Sequence, residues 1–252
     1  VVMPTTVEEA CSALAARELI PFAGGTDLMV HWPVRPEKET KDKEYLDLSG
    51  LAELRPLRWT DSELVLGGLT TYWDVIQDAR AAAELPLLAQ AARQVGAIQI
   101  QSRGTWAGNI VNASPAADGV PVLMAYDAVV DLVSARDAES VSLDDFYLGY
   151  KKMRRRPDQI VRSIRMPRRA YDFAYFEKVG ARRAQTITKV GVAITHSDAG
   201  WRVVANSVAP VILRCRGVEG MLESGATIAS ADDVMAALKS DVAPIDDIRS
   251  TG

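Results

Sequence analysis

The stretch PFAGGTDLMV, residues 21–30, leaves an apolar segment through two adjacent glycines and then carries Thr26 and Asp27. We expect a short strand over Leu19–Ala23 that ends in a sharp turn at Gly24 and Gly25. Glycine permits positive φ and a close approach of the backbone to another group, and successive N–H groups in such a loop bind phosphate oxygens. A Gly-Gly pair alone indicates only a turn, so its function depends on the rest of the chain.

A second loop of the same character, QSRGTWAGNIVNASPAADGVP, occupies residues 101–121. Thr105, Asn109, Asn112 and Ser114 supply hydroxyl and amide groups, and Asp118 supplies a carboxylate suited to sugar hydroxyls. Two such loops can hold one phosphate-containing ligand between them. The first loop lacks the Gly-Lys-Ser/Thr of a Walker loop and the GxGxxG of a dinucleotide fold.

Composition sets the outer limits on function. The 252 residues are 48% hydrophobic and 25% charged, with a net charge of -4, which is typical of a soluble globular protein. This charge favours neither nucleic acid nor an anionic membrane as a partner, and we expect no membrane insertion. The first residues lack signal-peptide features, so we expect a cytoplasmic protein. Cys11 and Cys215 are too far apart in sequence to form a metal site by themselves, so we expect no metal and no iron-sulfur cluster in this chain.

Periodicity predicts alternating helices and strands, and we place the protein in the α+β class. A capping box from Thr6 to Glu9 starts a helix, Leu64–Leu66 form a buried strand, and Thr71 caps a further helix. We place a domain boundary near residue 166, between residues 1–165 and 166–252. Residues 151–169 hold nine of the 29 basic residues, which indicates an exposed connection between domains or, as an alternative, a docking patch for a nucleic acid or an acidic partner protein.

The two loops resemble a known pair of motifs. AGGTDL at 23–28, followed by RGTWAGNIVNASPAADGVPVLMAYDA at 103–128, is similar to the signature of the FAD-binding medium subunits of molybdenum hydroxylases, the carbon monoxide dehydrogenase and xanthine dehydrogenase family. The resemblance continues through 141–167, 176–194 and 206–222. It departs at Trp106 and Ala107, where the family has a smaller aliphatic residue and a glycine.

The resemblance implies a bilobal FAD-binding region of the vanillyl-alcohol-oxidase type, with lobes at roughly 1–50 and 51–165, followed by a small α/β C-terminal domain. It places FAD against Ala23, Gly24, Gly25, Thr26, Asp27 and Leu28 of the first loop and Thr105, Gly108, Asn109, Asn112 and Ser114 of the second. It further implies that Asp118 holds ribityl or ribose hydroxyls and that Ile160, Val161 and Lys178 lie near the isoalloxazine. Arg103 either steers phosphate or forms a structural ion pair.

No catalytic acid or base is expected, because the bound flavin supplies the chemistry. The resemblance implies a heteromeric hydroxylase or dehydrogenase, in which a large subunit carries molybdopterin and a small subunit carries the iron-sulfur clusters. The present chain then passes electrons through FAD to an acceptor such as NAD, quinone or dioxygen.

Two alternatives remain open at this point. One is a self-contained FAD-dependent reductase of an enolpyruvyl sugar nucleotide. The other is a non-catalytic interaction module in which both glycine loops are merely turns.

Overall fold

The computed structural model describes residues 1–31, 43–182 and 185–244. Within these residues the helices are α1 (Val7–Ala16), α2 (Leu28–His31), α3 (Tyr72–Gln77), α4 (Ala79–Glu84), α5 (Pro86–Gln94), α6 (Ile98–Gln101), α7 (Trp106–Asn112), α8 (Gly119–Ala125), α9 (Arg216–Glu223) and α10 (Ala231–Asp241). The strands are β1 (Ile20–Phe22), β2 (Tyr45–Asp47), β3 (Leu57–Trp59), β4 (Glu63–Gly67), β5 (Val129–Val133), β6 (Ala138–Ser142), β7 (Tyr147–Gly149), β8 (Lys152–Met153), β9 (Ile160–Pro167), β10 (Tyr171–Gly180), β11 (Thr188–Ser197), β12 (Gly200–Asn206) and β13 (Leu213–Arg214). Short 3-10 turns lie at Ala52–Leu54 and Leu143–Asp145.

Two antiparallel sheets dominate this mixture of helix and strand. The first has the strand order β3-β4-β9-β5-β6, and the second has the order β10-β11-β12-β13. A small parallel pair, β1 with β2, lies near the N-terminus. The predicted α+β class is therefore confirmed.

Local sequence explains the first helix. Thr6 is the N-cap of α1 and accepts a hydrogen bond from the N–H of Glu9. Four apolar residues of α1 recur at helical spacing and face the N-terminal core, and this buried set is the predicted one: Val7, Ala10, Cys11 and Leu14.

The main core is shared by both large sheets. Its largest fully buried side chains include Trp106, Tyr126 and Phe146. Phe176 of β10 and Val204 of β12 belong to the same cluster, so the second sheet packs directly on the first part of the chain. This shared core fixes the position of the C-terminal sheet relative to the loops at 101–121.

The basic segment 151–169 is not an exposed connection, so that expectation was wrong. Most of its second half is β9, the central strand of the five-stranded sheet, between β4 and β5. Several of its arginines pair with carboxylates of neighbouring segments, among them Arg156 with Asp137 at 2.6 Å and Arg165 with Asp131 at 2.8 Å. These ion pairs bind the segment to its own chain, which weakens the alternative of a docking patch.

No helix in the described ranges is long and apolar enough to cross a membrane. Residues 1–31, 43–182 and 185–244 also contain no group of three or more His, Cys, Asp or Glu side chains arranged to hold a metal ion.

Candidate functional site

The first glycine loop joins β1 to α2. A Cβ atom at Gly24 would lie 2.5 Å from the carbonyl carbon of Arg103 and closer still to its oxygen, so only glycine fits there. Gly25 has a φ of 68°, a conformation that L side chains rarely adopt. The glycine pair is thus explained by one close approach of two backbones and one left-handed residue.

The backbone of this loop offers donors. Within the described part of the chain, no hydrogen bond is made by the N–H groups of Gly24, Gly25, Thr26 or Asp27. The loop is partly exposed, and only the N–H of Met29 turns back to the carbonyl of Gly25, at 2.9 Å. A set of neighbouring free N–H groups is a suitable partner for the oxygens of a phosphate.

The second loop is built around the start of α7. Thr105 caps this helix and accepts a hydrogen bond from the N–H of Gly108 at 2.9 Å. Asn109 accepts one from the N–H of Gly119 at 3.1 Å, and Ser114 accepts one from the N–H of Ala116 at 3.3 Å. Several of the side chains predicted to bind the ligand therefore also stabilise the conformation of the loop itself.

The two loops contact one another. Arg103 donates from Nε to the carbonyl of Gly24 at 3.4 Å, and no carboxylate among the described residues pairs with it. Asn112 donates to Asp27 at 3.2 Å, and Lys151 in turn donates to the carbonyl of Asn112 at 2.5 Å. The structure brings together the loops that sequence alone could only suggest as partners.

A cavity of about 280 Å³ lies where the loops meet. Its walls include Ala23 and Gly24 from the first loop and Arg103 and Thr105 from the second, together with Ser49, Arg55 and Thr71. These last three residues were not predicted as site residues. For Thr71 the available signal was Gly67-Gly68 followed by a capping threonine, and the backbone of Thr71 pairs with that of Thr105.

A larger open groove, of about 540 Å³, lies between the end of α1 and residues 156–158. Its arginines include Arg17, paired with Glu44 at 2.8 Å, and Arg156, paired with Asp137. Since these charges are already compensated and no glycine loop reaches the groove, we place the candidate site at the smaller cavity.

Asp118 and Lys178 form a buried ion pair beside the second loop. Nζ of Lys178 lies 2.6 Å from Oδ2 of Asp118, and the Lys178 side chain is 5% exposed. Thr188 donates to the other carboxylate oxygen. Burial and, to a smaller extent, the Asp118 charge raise the pKa of nearby Tyr72, so this phenol stays neutral.

Ile160 and Val161 do not line the cavity. Both are buried at the start of β9, Ile160 in the N-terminal core and Val161 in the main core. Leu28 is half-buried at the first position of α2.

Trp106, where the sequence departs from the family motif, is a fully buried core residue that packs against Tyr72 with ring centroids 4.9 Å apart. Its Nε1 has no hydrogen-bond partner among the described residues.

A glycine loop with free N–H donors meets a second glycine-containing loop at a polar cavity, and this arrangement suits a phosphate-containing ligand. Comparisons with known proteins agree with a ligand of this class. Residues 1–169 match the family described as FAD binding domain in molybdopterin dehydrogenase.

Similar proteins cover most of the chain. The nicotinate dehydrogenase FAD-subunit of Eubacterium barkeri is 32% identical over 206 residues, which are 78% of this chain and 69% of the relative. The xanthine dehydrogenase FAD-binding subunit of Escherichia coli O157:H7 is 28% identical over 233 residues, 88% of this chain and 78% of the relative. The solved carbon monoxide dehydrogenase from Hydrogenophaga pseudoflava matches with a TM-score of 0.87 and 26% identity, covering 99% of this chain and 88% of that one.

This chain therefore belongs to the family of FAD-binding domains of molybdopterin dehydrogenases. The resemblance inferred from the paired loop motifs is confirmed.

Proposed function

We propose that this chain is the FAD-binding electron-transfer subunit of a heteromeric molybdopterin-dependent hydroxylase or dehydrogenase. The observation that carries the proposal is that residues 23–24 of the first loop and 102–105 of the second loop line one polar cavity, beside unpaired N–H groups of the first loop. Membership of the FAD-binding family supplies the identity of the ligand.

FAD fits the residues present. Four neighbouring N–H donors, at Gly24 to Asp27, together with the hydroxyl and amide groups of the second loop, suit its negatively charged pyrophosphate. The cavity is smaller than the whole dinucleotide, so we assign it to this polar part. When bound, FAD supplies conversion between one-electron and two-electron transfer.

We assign roles to the predicted residues on this basis. The pyrophosphate is held by the first-loop residues, Ala23, Gly24, Gly25, Thr26, Asp27 and Leu28, and by the second-loop residues, Thr105, Gly108, Asn109, Asn112 and Ser114. Asp118 accepts hydrogen bonds from ribityl or ribose hydroxyls, oriented by Lys178. Because their side chains are buried, Ile160 and Val161 can contribute only backbone groups near the flavin ring.

We further propose the bilobal architecture of the vanillyl-alcohol-oxidase type. Its lobes span roughly 1–50 and 51–165, and residues 166–252 form the C-terminal domain. The parallel β1–β2 pair with its own core supports a separate first lobe, and the change of sheet between β9 and β10 supports a boundary near residue 166.

The names of the relatives indicate that the proposed enzyme has further subunits. Some are named as medium chains or subunits, among them the carbon monoxide dehydrogenase medium chain of Hydrogenophaga pseudoflava and the nicotine 6-hydroxylase medium subunit of Paenarthrobacter nicotinovorans. We propose a large molybdopterin-binding subunit and a small iron-sulfur subunit as partners, with NAD, quinone or dioxygen as the acceptor. A cytoplasmic location stays a prediction.

The proposal is tested by titrating the folded, cofactor-free chain with FAD and following flavin fluorescence, with riboflavin as the matched control. We expect one FAD per chain and much weaker binding of riboflavin, because riboflavin lacks the pyrophosphate. Folded protein that takes up no FAD would favour the interaction module. Turnover of NADPH with an enolpyruvyl sugar nucleotide by the isolated chain would favour the reductase.

A further inference from the structure

The second half of the flavin loop, residues 114–118, is held by the C-terminal sheet. The carbonyl of Pro115 accepts a hydrogen bond from the N–H of Ser207 at 2.8 Å. The carbonyl of Ala117 accepts one from Nδ2 of Asn206, also at 2.8 Å. Asn206 is the last residue of β12, and Ser207 follows it directly.

The same sheet holds the carboxylate at the end of this loop. Lys178 of β10 and Thr188 of β11 each donate to one oxygen of Asp118. Strands β10 and β11 and the end of β12 thus make four hydrogen bonds to three of these five loop residues.

Two of the donors, Asn206 and Thr188, lie away from solvent. Asn206 is 1% exposed and Thr188 is 3% exposed. A Cβ atom at Gly191 would overlap Oδ1 of Asn206, so a glycine on the neighbouring strand makes the room for this side chain. Buried hydrogen bonds of this kind fix geometry, because losing one leaves an unsatisfied polar group.

The loop has little internal support. Within residues 114–118, Ser114 accepts bonds from the N–H groups of Ala116 and Ala117, at 3.3 and 3.1 Å. The carbonyls of Pro115 and Ala117 face the C-terminal sheet instead. The shape of the loop therefore depends on strands more than 50 residues further along the chain.

We infer that the C-terminal sheet sets the conformation of the flavin loop, and that Thr188 and Asn206 are positioning residues for FAD binding. This inference rests on the function proposed above. It gives the C-terminal sheet a role in cofactor binding that the sequence of the loop does not reveal.

The test uses the full chain with Thr188→Val, which keeps the side-chain shape and removes the hydroxyl. Thr195→Val is the matched control, because Thr195 lies on the same strand, is 1% exposed and donates to the carbonyl of Ala125 at 2.7 Å, away from the loop. Thr188→Ser retains the donor. For each protein, the Kd for FAD and the unfolding midpoint of the cofactor-free chain are measured.

We expect Thr188→Val to weaken FAD binding about tenfold or more, while Thr188→Ser stays within about threefold of the unaltered chain. Thr195→Val should lower the unfolding midpoint to a similar extent as Thr188→Val and leave the Kd unchanged. If Thr188→Val does not fold, Asn206→Ala carries the same expectation.

Equal effects of Thr188→Val and Thr195→Val on the Kd, or no effect of either, would overturn the inference alone. Failure of the unaltered folded chain to bind FAD would overturn the inference together with the proposed function.

Discussion

Replacing Gly24 with alanine would drive a methyl group into the backbone of Arg103. The new carbon would lie 2.5 Å from the Arg103 carbonyl carbon, whereas ordinary contact starts at 3.4 Å. The obstacle is backbone and not the end of a flexible side chain, so the two loops must separate by at least about 1 Å.

Such a separation has two consequences. Overpacking of this kind costs about 1–3 kcal/mol of folding free energy. It also displaces the free N–H groups of residues 24–27 from the second loop by about 1 Å, which is enough to lengthen any hydrogen bond to a phosphate well beyond its optimum. We therefore expect Gly24→Ala to weaken FAD binding by at least about tenfold.

The assay is FAD titration combined with urea unfolding of the cofactor-free chain. Gly220→Ala is the control, because Gly220 is exposed in α9 and a Cβ atom there would meet nothing within 4 Å. Alanine favours a helix interior over glycine, so this variant should gain about 0.5–1 kcal/mol and bind FAD normally. A Gly24→Ala chain with unaltered unfolding and unaltered FAD affinity would refute the close approach of the loops.

Two further predictions concern titratable groups. Burial raises the pKa of Asp127, but the hydrogen bonds and charges of Arg202 and Arg169 outweigh burial and hold the pKa below its ordinary value. Its contribution to stability is therefore present above the pKa of the unfolded chain and is lost as pH falls through the folded pKa. Between pH 6 and 3, the free energy of urea unfolding should fall less steeply for Asp127→Asn than for the unaltered chain. An unchanged pH dependence would count against the ion pairs of Asp127 with Arg202 and Arg169. Burial also raises the pKa of Cys215 to about 12, and Cys11 is buried as well. Native protein at pH 8 should therefore react slowly with thiol reagents, whereas denatured protein should be labelled at both cysteines. Rapid labelling of the native state would contradict the burial of these side chains.

Local signals in the sequence predicted local structure well. Thr6 and Thr71 cap the helices that their hydroxyls indicated, and the buried face of α1 is the predicted one. Such features depend on residues a few positions apart, so helical periodicity and capping chemistry are enough to predict them.

Long-range partners were less predictable. The basic segment 151–169 was misjudged because the sequence shows its arginines but not the carboxylates on neighbouring strands that neutralise them. The positions of Ser49 and Arg55 at the cavity were missed for the same reason, since no motif links these two residues to the glycine loops.

The sequence by itself determined three features: two glycine-containing loops of the kind that binds phosphate, the resemblance to a known family, and a mixed helix and sheet fold. Only the tertiary structure decided why Gly24 must be glycine, which strand the basic segment forms and how Asp118 is held. The physical reason is that each of these depends on contact between segments about 20 to 100 residues apart, and such contacts are made by packing and hydrogen bonds that no local pattern encodes.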